Sequence, residues 1–540
     1  MPVTSNICAV CSITAKQRCA GCFNVFYCSR DHQKQHWKIH KSLCRPIKIC
    51  EDAVLGRYLA ATRPIKAGDV VFKESPLVKG PAQITGPICL GCGKEITGPD
   101  DSVPCSKCGW PMCKDGDNCE NSETHKAECT FTQKRGFKVS IQNFASPHPS
   151  YQCLTILRCL YLRDHEPEKW EKLIKLESHN KIRVNTEQYE RDCVSAKFIQ
   201  KFFKLEKEFT EDEILKVAGI VQVNGHEVPL TEPAHIAIYE ACSMLEHDCR
   251  ANCCKSFSST GDVLVIAGQD IKADEHISIC YVDPLWGTAN RRHFLLETKY
   301  FKCNCARCND PTEFGTMFNA IKCKEKDCEG YLLPKTFIEQ KDTEDEPKWY
   351  CSKCFRSQDG ASIHKLMDHI GKDLEAMEKG DVESCQKFLE HYGKYLHSNH
   401  YYMTDVRLAL AQLIGQKTKN GLTEVPDELL DDKAKLCQKV NKLIKILAPA
   451  EFRIQGMLLF ELHAAVAEIG RRRATKGQVG PETLEAMLLE SKNILAEAIE
   501  LLKHEPDIMP EGKIKLQARK NLADLEKLIR TLHQNVGDMP

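Results

Sequence analysis

Closely spaced cysteine and histidine residues are the side chains of this 540-residue sequence with the clearest chemical capability. Thiolates and imidazoles at such spacings are the ligands of closed, tetrahedral zinc sites. One group of eight ligands consists of Cys8, Cys11, Cys19, Cys22, Cys28, His32, His40 and Cys44. A second group of eight consists of Cys89, Cys92, Cys105, Cys108, Cys113, Cys119, His125 and Cys129. Both groups end in His-x3-Cys, which one helix face can present, so the sequence predicts a repeated zinc module.

Two smaller cysteine groups follow. Cys303, Cys305 and Cys308 supply three close ligands and require a fourth from elsewhere in the chain. The spacing of Cys323, Cys328, Cys351 and Cys354 is that of a zinc ribbon with two knuckles. The alternative for a cysteine without close partners is burial as a small apolar residue. That interpretation suits Cys153, Cys159, Cys193, Cys242, Cys385 and Cys437.

Composition sets limits on the partners of the chain. Lysine plus arginine equals aspartate plus glutamate, 75 each, so no global field directs the molecule to nucleic acid or anionic membrane. The longest apolar stretch, 457–470, contains Glu and His, which argues against a transmembrane span. The first residues lack the pattern of a secretory signal. We therefore expect an intracellular protein, in which reduced cysteines are free to bind metal.

The elements around these ligands alternate in type along the chain. Residues 54–80, 219–223, 262–267 and 271–283 read as strands, whereas 150–220 and everything after about 360 read as helices. The C-terminal helices are expected to form either a repeat array or a plain bundle. A chain of this length divides into about three or four domains. The expected fold class is α+β and multidomain.

This order of elements resembles the SET-and-MYND family of protein lysine methyltransferases over nearly the whole chain. The segment "FYCSRDHQKQHWKIHKSLC" looks like a MYND finger, and "LGRYLAATRPIKAGDVVFKESPLV" resembles the opening strands of a SET domain. "LEHDCRAN" occupies the place of the family's Asn-His-Ser-Cys motif, and "ISICYVDPLWGTANRRHFLLETKYFKCNCARC" matches the SET end and the post-SET tail. The inserted second finger and the ribbon resemble an arthropod-specific branch.

The resemblance implies a division of the chain into eight segments. They are a MYND-type finger (1–45), N-terminal SET strands (46–88), a second MYND-like finger inserted in SET (89–129), a helical SET insertion (130–230), the SET core (231–285), a post-SET zinc knot (286–310), a zinc ribbon (318–356) and a helical, TPR-like C-terminal domain (360–540).

The resemblance also assigns roles to individual residues. Tyr281 matches the catalytic tyrosine that orients the acceptor amine and the sulfonium methyl group; the alternative is a half-buried core tyrosine. The implied cofactor-binding residues are Gly56, Arg57, Glu246, His247, Asn252, Tyr281 and Phe301. Cys249 matches the fourth ligand of the post-SET knot. In family topology the ligands interleave, so that Cys8, Cys11, Cys28 and His32 share one ion and Cys19, Cys22, His40 and Cys44 the next. With the same order in the second finger, about six structural zinc ions are expected.

Two departures from the family pattern concern the cofactor pocket. Tyr58 stands where the early SET motif usually has a second glycine, and its side chain is expected to crowd the pocket. Glu246 replaces the asparagine of the Asn-His-Ser-Cys motif. An amide both donates and accepts hydrogen bonds, whereas a carboxylate only accepts, so Glu246 is expected to repel the carboxylate of the cofactor. These two residues predict weakened activity.

The leading functional hypothesis is an S-adenosylmethionine-dependent protein-lysine N-methyltransferase that acts on histones or other proteins in transcriptional regulation. The alternative is a scaffold with weak or no activity, which recruits corepressors through proline-containing peptides bound by the first finger. The eight-ligand groups lack the Cys2His2 spacing of DNA-reading fingers, which disfavours sequence-specific nucleic-acid binding. We further expect a monomer without membrane contact, located in nucleus and cytoplasm.

Overall fold

A computed structural model describes residues 7–19, 25–53, 55–116, 118–338 and 347–537. Among these residues, no helix combines the length and the apolar character that crossing a membrane requires. The chain begins with β1 (Gln17–Arg18), β2 (Phe26–Tyr27) and α1 (Arg30–Cys44). Ser29 starts α1, because its side chain accepts a hydrogen bond from the backbone N–H of His32 at 3.3 Å.

The first strands after this finger are β3 (Ile47–Asp52), β4 (Gly56–Ala61), β5 (Val70–Glu74) and β6 (Val78–Pro81). The second finger contains β7 (Ser102–Pro104), β8 (Pro111–Cys113) and α2 (Lys126–Arg135). The helices that follow are α3 (Leu154–His165), α4 (Pro167–Leu173), α5 (Asn180–Arg183), α6 (Glu187–Phe203) and α7 (Glu211–Asn224). The second finger and these helices share one large apolar core, which Trp110, Leu157 and Phe203 help to fill.

The strand predicted at 219–223 is wrong, because these residues form the last turns of α7. Their apolar and β-branched side chains favoured a strand on local grounds. The helix is set upstream by a capping box, in which Thr210 accepts from the N–H of Glu213 and the Glu213 carboxylate accepts from the N–H of Thr210. Ile220 and Val221 then pack into the helical core.

The chain returns to strands with β9 (His226–Val228), β10 (His235–Ile238), β11 (Glu246–His247), β12 (Cys253–Phe257), β13 (Val263–Ala267) and β14 (Ser278–Ile279). The strand predicted at 262–267 is confirmed as β13, which pairs antiparallel with both β12 and β5. β6, β10 and β9 form a second sheet. β11 pairs in parallel with β14, which places Glu246 opposite Ser278 and His247 opposite Ile279. This short parallel pair brings two distant segments of sequence together at the site.

The remaining chain contains α8 (Thr288–Lys299), α9 (Ala306–Asn309), β15 (Ile321–Lys322), β16 (Tyr331–Pro334), β17 (Trp349–Cys351) and β18 (Ser357–Gln358). Seven helices complete it: α10 (Gly360–Ala376), α11 (Val382–Tyr392), α12 (Tyr401–Leu413), α13 (Asp427–Leu447), α14 (Phe452–Thr475), α15 (Pro481–Leu501) and α16 (Pro510–Gly537). From α11 onward each helix packs against the next one in sequence. Both a repeat array and a plain up-and-down bundle pack in this way.

Candidate active site and metal-ligand clusters

Five of the predicted ligand sets come together in the folded chain. Within each set the ligand atoms lie within 4.8 Å of one another. The sets are Cys8, Cys11, Cys28 and His32; Cys89, Cys92, Cys113 and Cys119; Cys105, Cys108, His125 and Cys129; Cys249, Cys303, Cys305 and Cys308; and Cys323, Cys328, Cys351 and Cys354. Four thiolate or imidazole ligands at such distances fit a tetrahedral zinc ion and leave no open position, so these sites are structural.

One further predicted set lies only partly within the described residues. Cys22 falls outside them. Of its predicted partners, Cys19 and Cys44 are buried with their sulfur atoms 3.4 Å apart, and His40 is buried as well. His36, on the same helix as His32 and His40, has Nδ1 3.0 Å from the Tyr27 hydroxyl and accepts a hydrogen bond from it when its ring is protonated at Nε2.

Beneath the second finger, a buried carboxylate orients one of the ligands. The Nε2 atom of His125 faces Cys108 at 3.2 Å, and its Nδ1 atom lies 3.1 Å from Glu128. Arg158 donates to the same carboxylate at 3.0 and 2.7 Å. Burial alone would raise the pKa of Glu128, but Arg158 and His125 outweigh it and lower the pKa to about 2. The ionised carboxylate therefore fixes the ring that carries the ligand atom.

The post-SET knot receives its missing ligand from the stretch around β11. Cys249 lies 3.5 Å from Cys308, sulfur to sulfur, and its carbonyl accepts from Arg307 at 3.0 Å. Arg307 and Arg291 are both buried against the Glu313 carboxylate. The knot thus ties the tail of the chain to the strand segment that carries the candidate site.

Tyr281 and His247 form the centre of that site. The Tyr281 hydroxyl donates to the carbonyl of Leu245, and the backbone N–H of Tyr281 donates to Nδ1 of His247 at 3.0 Å. The Nε2 atom of His247 lies 3.3 Å from the Cys249 sulfur. Burial raises the pKa of Tyr281, so the phenol stays protonated and keeps its donor. The centroids of the two rings are 5.2 Å apart. The Leu245 carbonyl holds the Tyr281 ring through its hydroxyl, and the Tyr281 N–H and the Cys249 sulfur hold the His247 ring.

The Asn252 side chain is hydrogen-bonded to the backbone of the segment that leads into β14. Its Nδ2 donates to the carbonyl of His276 at 2.7 Å, and its Oδ1 accepts from the N–H of Ser278 at 2.9 Å. Both ends of the buried amide are thereby used inside the protein. Asn252 fixes the segment that leads into β14, and through it the orientation of the neighbouring site residues.

Glu246 has a partner that sequence reasoning missed. Its two carboxylate oxygens lie 3.0 and 3.2 Å from Nδ1 of His276. The Tyr58 ring stacks on the His276 imidazole with centroids 4.2 Å apart. The family motif offered no signal for His276, because only the parallel pairing of β11 with β14 brings the two side chains together. The two departures from the family pattern, Glu246 and Tyr58, therefore contact one common residue.

The remaining predicted cofactor residues surround this group. Phe301 packs 5.9 Å from the His247 ring, centroid to centroid. Arg57 donates to the carbonyl of Lys175 in the helical insertion. Gly56 has φ +68°, and a Cβ at this position would meet no atom within 4 Å, so the backbone there borders open space.

Comparison with known proteins agrees with this architecture. Residues 8–44 match the MYND finger family, and residues 56–282 match the SET domain family. The SET match contains Gly56, the segment around His247 and Tyr281, and it spans the inserted second finger. The chain therefore contains a MYND finger followed by a SET domain.

Individual relatives match between about half and two thirds of the chain. It is similar to "SET domain-containing protein SmydA-8, isoform A" of Drosophila melanogaster, with 27% identity over 368 residues, 67% of this chain and 74% of the relative. It is also similar to "N-lysine methyltransferase SMYD2" of Bos taurus (24% identity; 63% of this chain, 82% of the relative). "Histone-lysine N-methyltransferase SMYD3" of Homo sapiens shares 26% identity over 49% of this chain and 62% of the relative. The Drosophila relative agrees with the arthropod branch indicated by the sequence.

Proposed function

We propose that this protein is an S-adenosylmethionine-dependent protein-lysine N-methyltransferase. The observation that carries the proposal is the position of Tyr281, whose phenol is protonated and whose hydroxyl and backbone are both fixed beside His247. When bound, the cofactor supplies a methyl group on a sulfonium. Tyr281 would orient the acceptor amine, and orientation of this kind contributes up to about 7–11 kcal/mol to a bimolecular transfer.

The residues present fit the cofactor. Gly56 borders open space in which a ligand can approach the backbone. Phe301 and His247 offer aromatic surfaces, and Glu246 offers a carboxylate for an ammonium group. His276, in contact with Glu246, adds a hydrogen-bonding ring beside the residue that replaces the family asparagine. We therefore expect His276 to offset the repulsion between Glu246 and the cofactor carboxylate.

Calorimetry with S-adenosylmethionine tests cofactor binding. We expect measurable heat with the wild-type chain, and about tenfold weaker binding after His276→Ala, because the Glu246 carboxylate loses its hydrogen-bonding partner. Glu246→Asn removes the carboxylate and tests the repulsion directly. An absence of heat up to millimolar cofactor would contradict the proposal.

A methyl-transfer assay on a protein array tests catalysis and finds the substrate. We expect transfer to lysine side chains, on histones or other proteins, and a loss of about 100-fold in Tyr281→Phe because the acceptor is no longer oriented. Cofactor affinity serves as the control for correct folding of the variant. Cofactor binding without transfer to any protein would instead favour the scaffold function.

We further propose that the first finger recruits corepressors through proline-containing peptides in transcriptional regulation. The support is Trp37 on α1, a large aromatic side chain that is 42% exposed. Fluorescence titration with a labelled proline-rich peptide should show binding that Trp37→Ala removes. A monomer by light scattering, and a tagged chain in both nucleus and cytoplasm by microscopy, are the corresponding expectations for assembly and location.

A further inference from the structure

A group of basic side chains includes Lys299, whose amine faces the Tyr281 ring, and neither the zinc sites nor the cofactor residues account for it. The Lys299 amine lies 5.7 Å from the centroid of the Tyr281 ring and donates to the carbonyl of Val223 at 2.7 Å. Lys255 donates to Nδ1 of His226 at 3.3 Å. We refer to Lys299, Lys255 and His226 as the amine cluster.

Among the described residues, no acidic side chain pairs with Lys299 to neutralise its charge. In the part of the chain that the structure describes, Lys299 forms no ion pair, and burial and Lys255 lower its pKa to about 8. Burial lowers the pKa of Lys255 as well. Burial, Lys255 and Lys299 together lower the pKa of His226, whose Nε2 atom has no hydrogen-bond partner among the described residues. His179, in the helical insertion, is a further basic group near Lys299, and burial lowers its pKa.

The position of Lys299 matters because the acceptor amine must reach Tyr281. Lysine methylation requires an uncharged amine beside the tyrosine, whereas a lysine side chain in water is protonated at neutral pH. The Tyr281 hydroxyl already donates a hydrogen bond to the Leu245 carbonyl, and the His247 ring packs beside the Tyr281 ring. Lys299 faces the ring itself. An acceptor lysine that approaches this ring meets the Lys299 amine.

We propose that Lys299 is a specificity-determining residue of the methyl-transfer site, which repels a protonated acceptor and admits an amine that arrives uncharged. This inference rests on the proposed methyltransferase function. In a partly buried site, like charges a few ångströms apart repel strongly, because little water screens them. The repulsion disappears once Lys299 itself loses its proton, so wild-type activity rises as the pH passes through about 8.

The test compares Lys299→Met with Lys299→Arg across pH. Methionine keeps an unbranched apolar side chain without charge, and arginine keeps the charge at every accessible pH. We expect Lys299→Met to raise kcat/KM for lysine-containing protein by about tenfold at pH 7, with the advantage over wild type vanishing by about pH 9. Lys299→Arg should remain slow throughout. Lys207→Met, which removes an exposed charge in the helical insertion, is the matched control and should equal wild type.

A second measurement, of binding, applies to variants that show little turnover. Binding of n-butylamine, a mimic of the acceptor side chain, is followed by calorimetry in the presence of S-adenosylhomocysteine. We expect tighter binding to Lys299→Met than to wild type at pH 7 and equal binding near pH 9. Thermal unfolding of each variant controls for the lost hydrogen bond to Val223.

The outcomes separate this inference from the proposed function. If S-adenosylmethionine binds neither wild type nor variant, the methyltransferase proposal fails. If the cofactor binds but Lys299→Met gains neither kcat/KM nor butylamine affinity at pH 7, the inference about Lys299 is overturned. A fall in kcat/KM for Lys299→Met, with cofactor affinity unchanged, would overturn it as well and assign Lys299 a supporting role.

Discussion

The first finger packs around a small core of its own, made by Cys8, Ala15, Cys19, Tyr27 and Cys44. Three of the four ligands in its Cys8 set are partly exposed. The second finger has a similar order of ligands, with Cys119 at the place of His32, but belongs to the large core shared with the helical insertion. All four ligands of its Cys105 set are buried, whereas its Cys89 set includes the exposed Cys92.

Contacts around the second finger show how this integration is built. The Trp110 ring is fully buried, packs edge-on against Tyr151, and donates to Thr132 at 3.0 Å. Arg158 links Glu128 to two carbonyls, those of Leu90 in the finger and Lys79 in β6. One ligand pattern therefore serves two purposes: a module that folds mainly around its own ions, and a module whose ions support the SET domain.

The largest expected effect comes from removing one ligand in each finger. Structural zinc contributes about 10–16 kcal/mol of apparent binding energy in small zinc domains, so a lost ligand removes much of the local stability. We expect Cys113→Ser to abolish the main cooperative unfolding transition and cofactor binding. Cys28→Ser should unfold the first finger alone and leave both intact. Differential scanning calorimetry and cofactor titration measure this, with zinc content as the control; equal damage by both variants would refute the distinction.

The next largest effect is expected at the carboxylate under the second finger. Glu128→Ala leaves the Arg158 charge buried without its partner, which costs about 3–5 kcal/mol. Glu128→Gln keeps the shape of the side chain and one hydrogen-bond acceptor, and should cost less. Urea denaturation of the main transition measures both. A loss below about 1 kcal/mol for Glu128→Ala would show that the finger is held by its ions alone.

Residues close in sequence could be predicted well. The ligand sets follow from Cys-x2-Cys and His-x3-Cys spacing, and their interleaved pairing is what family topology implies. Cys249 could be found because three post-SET cysteines required a fourth ligand. The strand β13 was visible as a short continuous apolar run. Residues 219–223 were assigned wrongly because the capping box that decides their conformation lies about ten residues upstream.

Contacts between distant segments could not be predicted. His276 reaches Glu246 only through the two-residue parallel pair of β11 and β14, which no periodicity reveals. Lys299 ends α8, and its amine faces the ring of Tyr281, which lies eighteen residues earlier in the sequence. In both cases the residue type is ordinary, and only the three-dimensional neighbours give it a role.

A smaller effect is expected at the indole of the second finger. Trp110→Phe removes the hydrogen bond to Thr132 and leaves a cavity beside Tyr151, which costs about 1–3 kcal/mol. The cost should appear in the main unfolding transition, because this ring lies in the shared core. Trp110→Phe combined with Thr132→Val, which removes the orphaned hydroxyl, should recover part of the loss. If Trp110→Phe altered only the rate of zinc release, the result would contradict the packing of this ring in the core shared with the helices.

The smallest expected effect is at Tyr27, a buried aromatic residue of the first finger. Tyr27→Phe removes the hydrogen bond from the hydroxyl to His36, which is worth about 1 kcal/mol, while the buried ring stays in place. Because Tyr27 packs in the first finger's own core, the loss should speed release of its zinc to a chromogenic chelator. The main unfolding transition should stay at the wild-type temperature. His36→Phe removes the same bond from the other side and should act alike; a shift of the main transition by either variant would mean that the first finger, too, is coupled to the SET domain.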